Sequence, residues 1–164
     1  MSHRWACLLG HPVAHSLSPA LHNAAFSRLG LDAHYEAWDV LPDRVAHSVE
    51  RLRSADCLGA NVTAPHKQAV VPYLDSVSAA VQALGAVNTI VNERGRLSGK
   101  NTDADGLARW MQNVGIDPTG QACLVLGAGG AARATVWALA TLGASSVLVL
   151  NRTLGRAEDL VHDL

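Results

Sequence analysis

The sequence predicts an α/β protein in two parts. A three-layer α/β domain around a mostly parallel sheet spans residues 1–116, and the first portion of a second α/β domain spans 117–164. Three observations predict this. Two strand–helix units follow one another from the N-terminus and lead into a third strand, the pattern of a parallel sheet with helices packed on it. The segment Ile116-Asp117-Pro118-Thr119-Gly120 carries the Pro and Gly of a domain boundary. Beyond it, a strand, a glycine-rich turn and a helix come in immediate succession.

Trp5–Leu9 is the first apolar strand, and Gly10–Ser18 the loop after it. Ser18 before Pro19 is a helix start: the hydroxyl can cap free N–H groups, and Pro costs no hydrogen bond in the first turn. The helix Pro19–Leu29 is expected to turn Leu21, Ala24, Ala25 and Phe26 inward, and Gly30 stops it. His34–Val40 is the second strand. Pro42–Ala55 reads as a helix with Val45, Val49 and Leu52 on one face, and Cys57–Val62 as the third strand. Gln68–Leu74 is a short helix ended near Pro72. Asp75 or Ser76 would cap a helix over Ser78–Leu84, closed by Gly85. Gly85–Val91 enters a strand, turns at Glu93-Arg94-Gly95-Arg96 and returns through Leu97. Thr102 or Asp103 caps the next helix, through Leu107, Trp110 and Met111 to Gly115. In the second part, Ala122–Leu126 is a strand, Ala131–Leu142 a helix, and Ser146–Leu150 the next parallel strand. Thr153 would cap a last helix with Leu160 and Val161 facing inward.

Polar groups collect where strands end, the place at which α/β sheets hold ligands. Asn61, Thr63 and Lys67 offer an amide, a hydroxyl and an ammonium at the end of the third strand. Ser16 and Ser18 lie between a strand end and a helix N-terminus, which suits a carboxylate; an N-cap serine and a loop serine would read the same way. Asn88 stands at the mouth of its strand, as a turn residue or as a ligand group. Asp103 is either a helix N-terminal acid or a carboxylate set against Lys67. In the second case the ammonium is a proton donor whose charge its partner holds.

Gly127, Gly129 and Ala132 fit G-x-G-x-x-G/A between a strand and a helix, so Gly127, Ala128, Gly129, Gly130 and Ala131 are the expected cradle of a dinucleotide pyrophosphate. This is the opening of a Rossmann-type domain. An NAD-binding fold usually carries an acid about 20 residues past the glycines, on the ribose hydroxyl. This chain has Asn151-Arg152-Thr153 there, with Arg156 one turn on. Guanidinium groups suit a 2′-phosphate, so NADP is expected over NAD; surface charge is the plainer reading of the same arginines.

Composition removes other classes. The 164 residues are 49% hydrophobic and 16% charged, with net charge -1 and no basic run, which argues against nucleic acid. No apolar run approaches the roughly 18 residues of a membrane span, and with a strand expected from Trp5 no signal peptide is expected. Cys7, Cys57 and Cys123 form no CxxC and read as buried free thiols of a reducing cytoplasm. His11 and His15 have metal-like spacing but flank Pro12 and lack further donors, so no metal site is expected.

Taken together, His15–Pro19, Asn61–Lys67, Gly85–Thr89, Asn101–Asp103, Gly127–Arg133 and Asn151–Thr153 resemble, in order and spacing, the shikimate dehydrogenase family. The resemblance implies NADP-dependent, reversible reduction of 3-dehydroshikimate to shikimate in aromatic amino-acid biosynthesis. It implies that Ser16 and Ser18 hold the substrate carboxylate, that Asn61, Thr63, Asn88 and Asp103 bind ring hydroxyls, and that Lys67 and Asp103 are the acid/base pair. The family's chain continues well past residue 164 and adds a further substrate-contacting glutamine. Weak or absent turnover is therefore expected of these 164 residues. A redox-silent shikimate-binding module and a quinate-preferring enzyme are the competing expectations. An exposed sheet edge makes a homodimer an expectation too.

Overall fold

The computed structural model describes residues 3–164. Its packing divides the chain into two compact units, one of residues up to Val81 together with Val87–Lys100, the other of Gln82–Ala86 and Asn101–Leu164.

The first unit holds a six-stranded sheet. Its strands are β1 (Arg4–Gly10), β2 (Ala33–Asp39), β3 (Cys57–Val62), β4 (Ser76–Val77), β5 (Thr89–Glu93) and β6 (Arg96–Lys100), in the order β2-β1-β3-β5-β6-β4. β2, β1 and β3 run parallel, as two successive strand–helix units require. β5 is antiparallel to β3 and to β6, and β4 pairs parallel with β6. Successive side chains of a strand point to opposite faces, and both faces here are apolar. On one, Cys7, Leu9 and Val62 meet Val49 from the helix α2 (Val45–Arg51) and the adjoining Leu52. On the other, Leu8, Val13 and Tyr35 meet Phe26 of the helix α1 (Ser18–Arg28). The two residues joining β5 to β6, Arg94 and Gly95, have φ of 57° and 86°, the pair of positive values a tight hairpin turn needs.

Several local expectations change. α1 buries no residue fully: Leu21 is 66% exposed, Ala24 and Ala25 are exposed, and Phe26 alone of the four reaches the apolar cluster. Contact with the sheet runs instead through His22, Asn23 and Phe26, at i, i+1 and i+4 of the helix. Ser18 caps nothing; its own N–H donates to Ser16 Oγ at 3.2 Å. The region read as one helix over Pro42–Ala55 is a 3₁₀ turn, Pro42–Arg44, followed by α2. Gln68–Leu74 holds only a 3₁₀ turn at Val71–Tyr73. The helix α3 (Ala79–Leu84) takes its first-turn bond from neither Asp75 nor Ser76: Ser78 Oγ accepts from the Val81 N–H at 3.3 Å, and Ser76 is spent in β4.

The second unit pairs β7 (Ala122–Leu126) parallel with β8 (Ser146–Leu150). The helices α4 (Asp103–Asn113), α5 (Gly130–Thr141) and α6 (Leu154–Asp163) belong to it. Met111 of α4 joins Val125, Ala132, Leu139 and Leu160 in one cluster, and Ala104 joins Leu84, Ala134 and Ala138 in another. Burying a Met or Leu side chain contributes about 1.5–3 kcal/mol. That is why the division in the packing falls at Lys100, ahead of the Pro–Gly segment at 116–120. Leu160 is buried, but Val161 is 61% exposed, so α6 turns only one of the two inward. Leu124, Leu126, Leu148 and Leu150 share the sheet face away from that cluster and are 59–73% exposed. Among the described residues, no helix is long and apolar enough to cross a membrane.

Candidate functional site

In the first unit the ends of β1 and β3 converge. Thr63 N–H donates to Leu9 O at 2.8 Å and His11 N–H to Ala64 O at 3.1 Å, which carries the parallel pairing past both strands into their loops. Gly10 permits this approach: a Cβ there would overlap the Thr63 methyl group. An open pocket of about 600 Å³ lies where the loops meet, and Ser16, Ser18 and Thr63 line it with His11 and His15. The sequence placed these two serines and Thr63 at neighbouring strand ends, and they share one pocket.

His66 anchors the polar loop from beneath. It is 1% exposed, and its Nε2–H donates to Val40 O at 2.6 Å, since a carbonyl can only accept. The next residue, Lys67, is half-buried, and its carbonyl accepts from Val87 N–H at 2.7 Å. That bond sets Lys67 beside the entry to β5. Val62 N–H donates to Asn88 O at 2.8 Å, and Asn61 pairs with Thr89 across β3 and β5. Asn61, Lys67 and Asn88 are thus brought to the same end of the sheet as the serine pocket by backbone bonds.

The amides are tied to each other. Thr89 Oγ1 donates to Asn88 Oδ1 at 2.9 Å, and Asn61 Nδ2 donates to Thr89 Oγ1 at 3.4 Å. Behind them, Tyr35, 4% exposed, donates its hydroxyl to Asn61 Oδ1 at 2.9 Å. Sequence reasoning missed Tyr35 and Thr89. Each sits at an alternating strand position, where a tyrosine or a threonine is ordinary, and neither carries a local signal.

Asp103 opens α4 in the second unit. Thr102 stands at the N-cap of this helix and makes no side-chain cap. The capping acceptor is Asn101, 5% exposed, whose Oδ1 takes the Asp103 N–H at 2.9 Å while its Nδ2 donates to Ala86 O at 2.8 Å. The buried amide therefore fixes the backbone on which Asp103 stands.

At the end of β7, Gly127 has φ +108° and its N–H donates to Leu150 O at 2.8 Å. Gly129 is extended and precedes α5, which begins at Gly130. A Cβ on Gly127 or Gly129 would meet nothing within 4 Å, so open space lies over the turn and the helix N-terminus. This is the form of a phosphate cradle: bare backbone, room above it, and the positive end of a helix dipole. Arg133, one residue past the glycine motif, faces away from it. It is buried, donating through Nε to Leu84 O and through Nη2 to Asp163 at 2.8 Å. At the end of β8, Arg152 and Arg156 are exposed. Asn151 turns its Nδ2 back to Thr153 O at 2.7 Å, and Thr153 makes no side-chain cap on α6.

Comparison with known proteins points to the shikimate dehydrogenase family. The family model described as shikimate dehydrogenase substrate binding domain matches residues 8–90, and the model described as shikimate / quinate 5-dehydrogenase matches residues 111–164. An NADP(+) shikimate dehydrogenase of Moorella thermoacetica is 52% identical over 157 residues, 96% of this chain and 53% of the relative. One from Methanopyrus kandleri is 47% identical over 158 residues, 96% of this chain and 54% of the relative. Among solved structures, shikimate 5-dehydrogenase of Thermus thermophilus in complex with NADP(H) and shikimate superposes with TM-score 0.86 at 45% identity, covering 98% of this chain and 60% of the other. Shikimate dehydrogenase of Aquifex aeolicus gives TM-score 0.91 at 37% identity, covering 98% and 60%. The chain spans about half the length of the curated relatives it matches.

Proposed function

The chain belongs to the shikimate dehydrogenase family, and from that premise we propose that it carries the substrate site and the phosphate cradle of an NADP-dependent shikimate dehydrogenase. The observation that carries the reading is the convergence of Ser16, Ser18 and Thr63 on one pocket at the sheet end that also holds Asn61, Lys67 and Asn88. Two hydroxyls suit a carboxylate, and two amides suit ring hydroxyls. Residues 1–116 would serve the substrate and residues 117–164 part of the cofactor.

In this reading Ser16 and Ser18 donate to the substrate carboxylate and fix the ring's direction. Asn61, Thr63, Asn88 and Asp103 take the ring hydroxyls. Lys67 gives its proton to the C3 oxygen as the carbonyl becomes an alcohol and recovers it in the reverse direction, with Asp103 as its acid/base partner. Lys67 and Asp103 belong to different units, and their partnership rests on the family. The residues present fit the cofactor's phosphates: the glycine-rich turn at Gly127–Ala131 opens on empty space at Gly127 and Gly129, with Asn151, Arg152, Thr153 and Arg156 at the next strand end for the adenosine ribose and its 2′-phosphate. When bound, NADPH supplies the hydride.

Calorimetry on the 164-residue chain with shikimate, quinate and NADP, each alone, tests the reading. Shikimate and NADP should each bind, and turnover by these residues should be weak. Shikimate binding without NADP binding would make the chain a redox-silent module. No shikimate binding would end the proposal. Quinate stands as a second reading because the family model over residues 111–164 is described with both names. Quinate adds a hydroxyl on the carbon bearing the carboxylate, beside Ser16 and Ser18, so its affinity relative to shikimate decides between them. The free thiols of Cys7 and Cys57 support a cytoplasmic setting. The exposed leucine face of β7 and β8 supports self-association to a homodimer, which sedimentation velocity would report.

A further inference from the structure

A carboxamide has a donor end and an acceptor end, and it can turn either one to a ligand unless its surroundings decide. Around Asn61 they decide. Thr89 has a single hydroxyl hydrogen, spent on Asn88 Oδ1 at 2.9 Å. Thr89 can then only accept from Asn61, so Asn61 turns its NH₂ toward Thr89 and its Oδ1 toward Tyr35, where the phenol donates at 2.9 Å. The relay runs one way, from Tyr35 through Asn61 and Thr89 to Asn88, each donating to the next.

Tyr35 is itself held from both sides. Asn23 of α1 clips its outward-facing peptide groups, with Nδ2 donating to Tyr35 O at 2.8 Å and Oδ1 accepting from Tyr35 N–H at 2.7 Å. This closes the free edge of β2 with a side chain in place of a further strand. His22 stacks on the phenol ring, centroids 4.2 Å apart and planes within 10°. Burial pushes the Tyr35 phenol's pKa well above its usual value, so it stays protonated as a donor.

We infer that Tyr35 is a positioning residue for ligand recognition: by donating to Asn61 Oδ1 it commits Asn61 to present N–H, so the site selects a ligand that offers an oxygen acceptor at that point. The inference rests on the proposed shikimate site. It assigns a specificity role to the contact between α1 and β2, which touches no ligand in the reading above.

The test compares shikimate with cyclohex-1-ene-1-carboxylate, which keeps the ring and carboxylate but has no ring hydroxyls. Binding is followed by calorimetry and NMR titration on the 164-residue chain. Tyr35→Phe keeps the ring and its stacking and removes only the donor. Shikimate affinity should fall about fivefold or more, the worth of one hydrogen bond near 1 kcal/mol. Affinity for the hydroxyl-free analogue should stay within about twofold, because a loosened fold would weaken both and a released amide weakens one. In an Asn61→Ala background, Tyr35→Phe should add nothing. If Tyr35→Phe does not fold, the Asn61 side-chain NH₂ resonances of the unaltered chain are followed instead: shikimate should shift them and the hydroxyl-free analogue should not, and equal shifts with both overturn the inference. Equal losses for both ligands, or no loss for shikimate, overturn the inference and leave the functional reading standing. Failure of the unaltered chain to bind shikimate overturns both.

Discussion

Arg53 and Asp75, 22 residues apart, meet at 2.6 Å through Nη1 and Oδ2, and the same carboxylate oxygen accepts the Leu97 N–H at 2.6 Å. Arg53 further donates to Glu50, to Tyr73 O and to Gly95 O. One guanidinium thus ties the end of α2, the segment before β4 and the β5–β6 turn together. The Arg53 hydrogen bond, then the Leu97 N–H, hold the Asp75 carboxyl below the usual carboxylate range. A group whose folded-state pKa is depressed stabilises the fold above its unfolded pKa, about 3.9, and loses that contribution as pH falls through the folded value. The first unit should therefore lose stability on acidification below about pH 4. Asp75→Asn should show a shallower acid limb in urea unfolding followed from pH 6 to pH 2. Superimposable limbs for the two chains would remove the assignment.

Gly59 has φ +138°, and a Cβ there would overlap the Ile90 carbonyl of the neighbouring strand. Both the backbone conformation and the space are closed to any other residue. Gly59→Ala should cost at least about 3 kcal/mol in denaturant unfolding or abolish folding of the first unit. A change under about 1 kcal/mol would contradict the packing described.

The three cysteines should separate by reactivity. Cys7 and Cys57 are 0% and 3% exposed, and Cys123 is half-buried. Burial first, then the neighbouring Cys57, pushes the Cys7 thiol far up; burial pushes Cys57 up to about 11. Since the thiolate is the nucleophile, a disulfide reagent at pH 8 should modify Cys123 first and the other two only at the rate of unfolding. Fast modification of two or three thiols in the folded chain would be the contrary result.

Arg152→Ala should weaken NADP by about tenfold or more, the worth of a charge-assisted hydrogen bond, and leave NAD nearly unchanged. Equal losses for the two nucleotides, measured by calorimetry or fluorescence quenching, would remove the 2′-phosphate role. Unaltered NADP binding would make Arg152 surface charge.

The sequence by itself determined the order of the main strands and helices, the short β4 and the 3₁₀ turns excepted, because the relevant signals are short-range: apolar runs bounded by Gly and Pro, the tight turn at Arg94-Gly95, and the glycines of the β7–α5 turn. It also determined which residue types crowd the strand ends, and hence the chemistry proposed. The tertiary structure decided which polar groups are spent on structure. Ser18, Thr102 and Thr153 look like caps in sequence, yet none makes a side-chain cap; Ser16 and Asn101 supply acceptors at the starts of α1 and α4. Asp75 left its helix for Arg53, and Arg133 left the glycine turn for Leu84 and Asp163. Tyr35 acquired its partner Asn61 only through strand register, with β1 between them in the sheet. A hydrogen bond goes to whichever partner the fold brings within about 3 Å, and that choice is made by elements far apart in the chain.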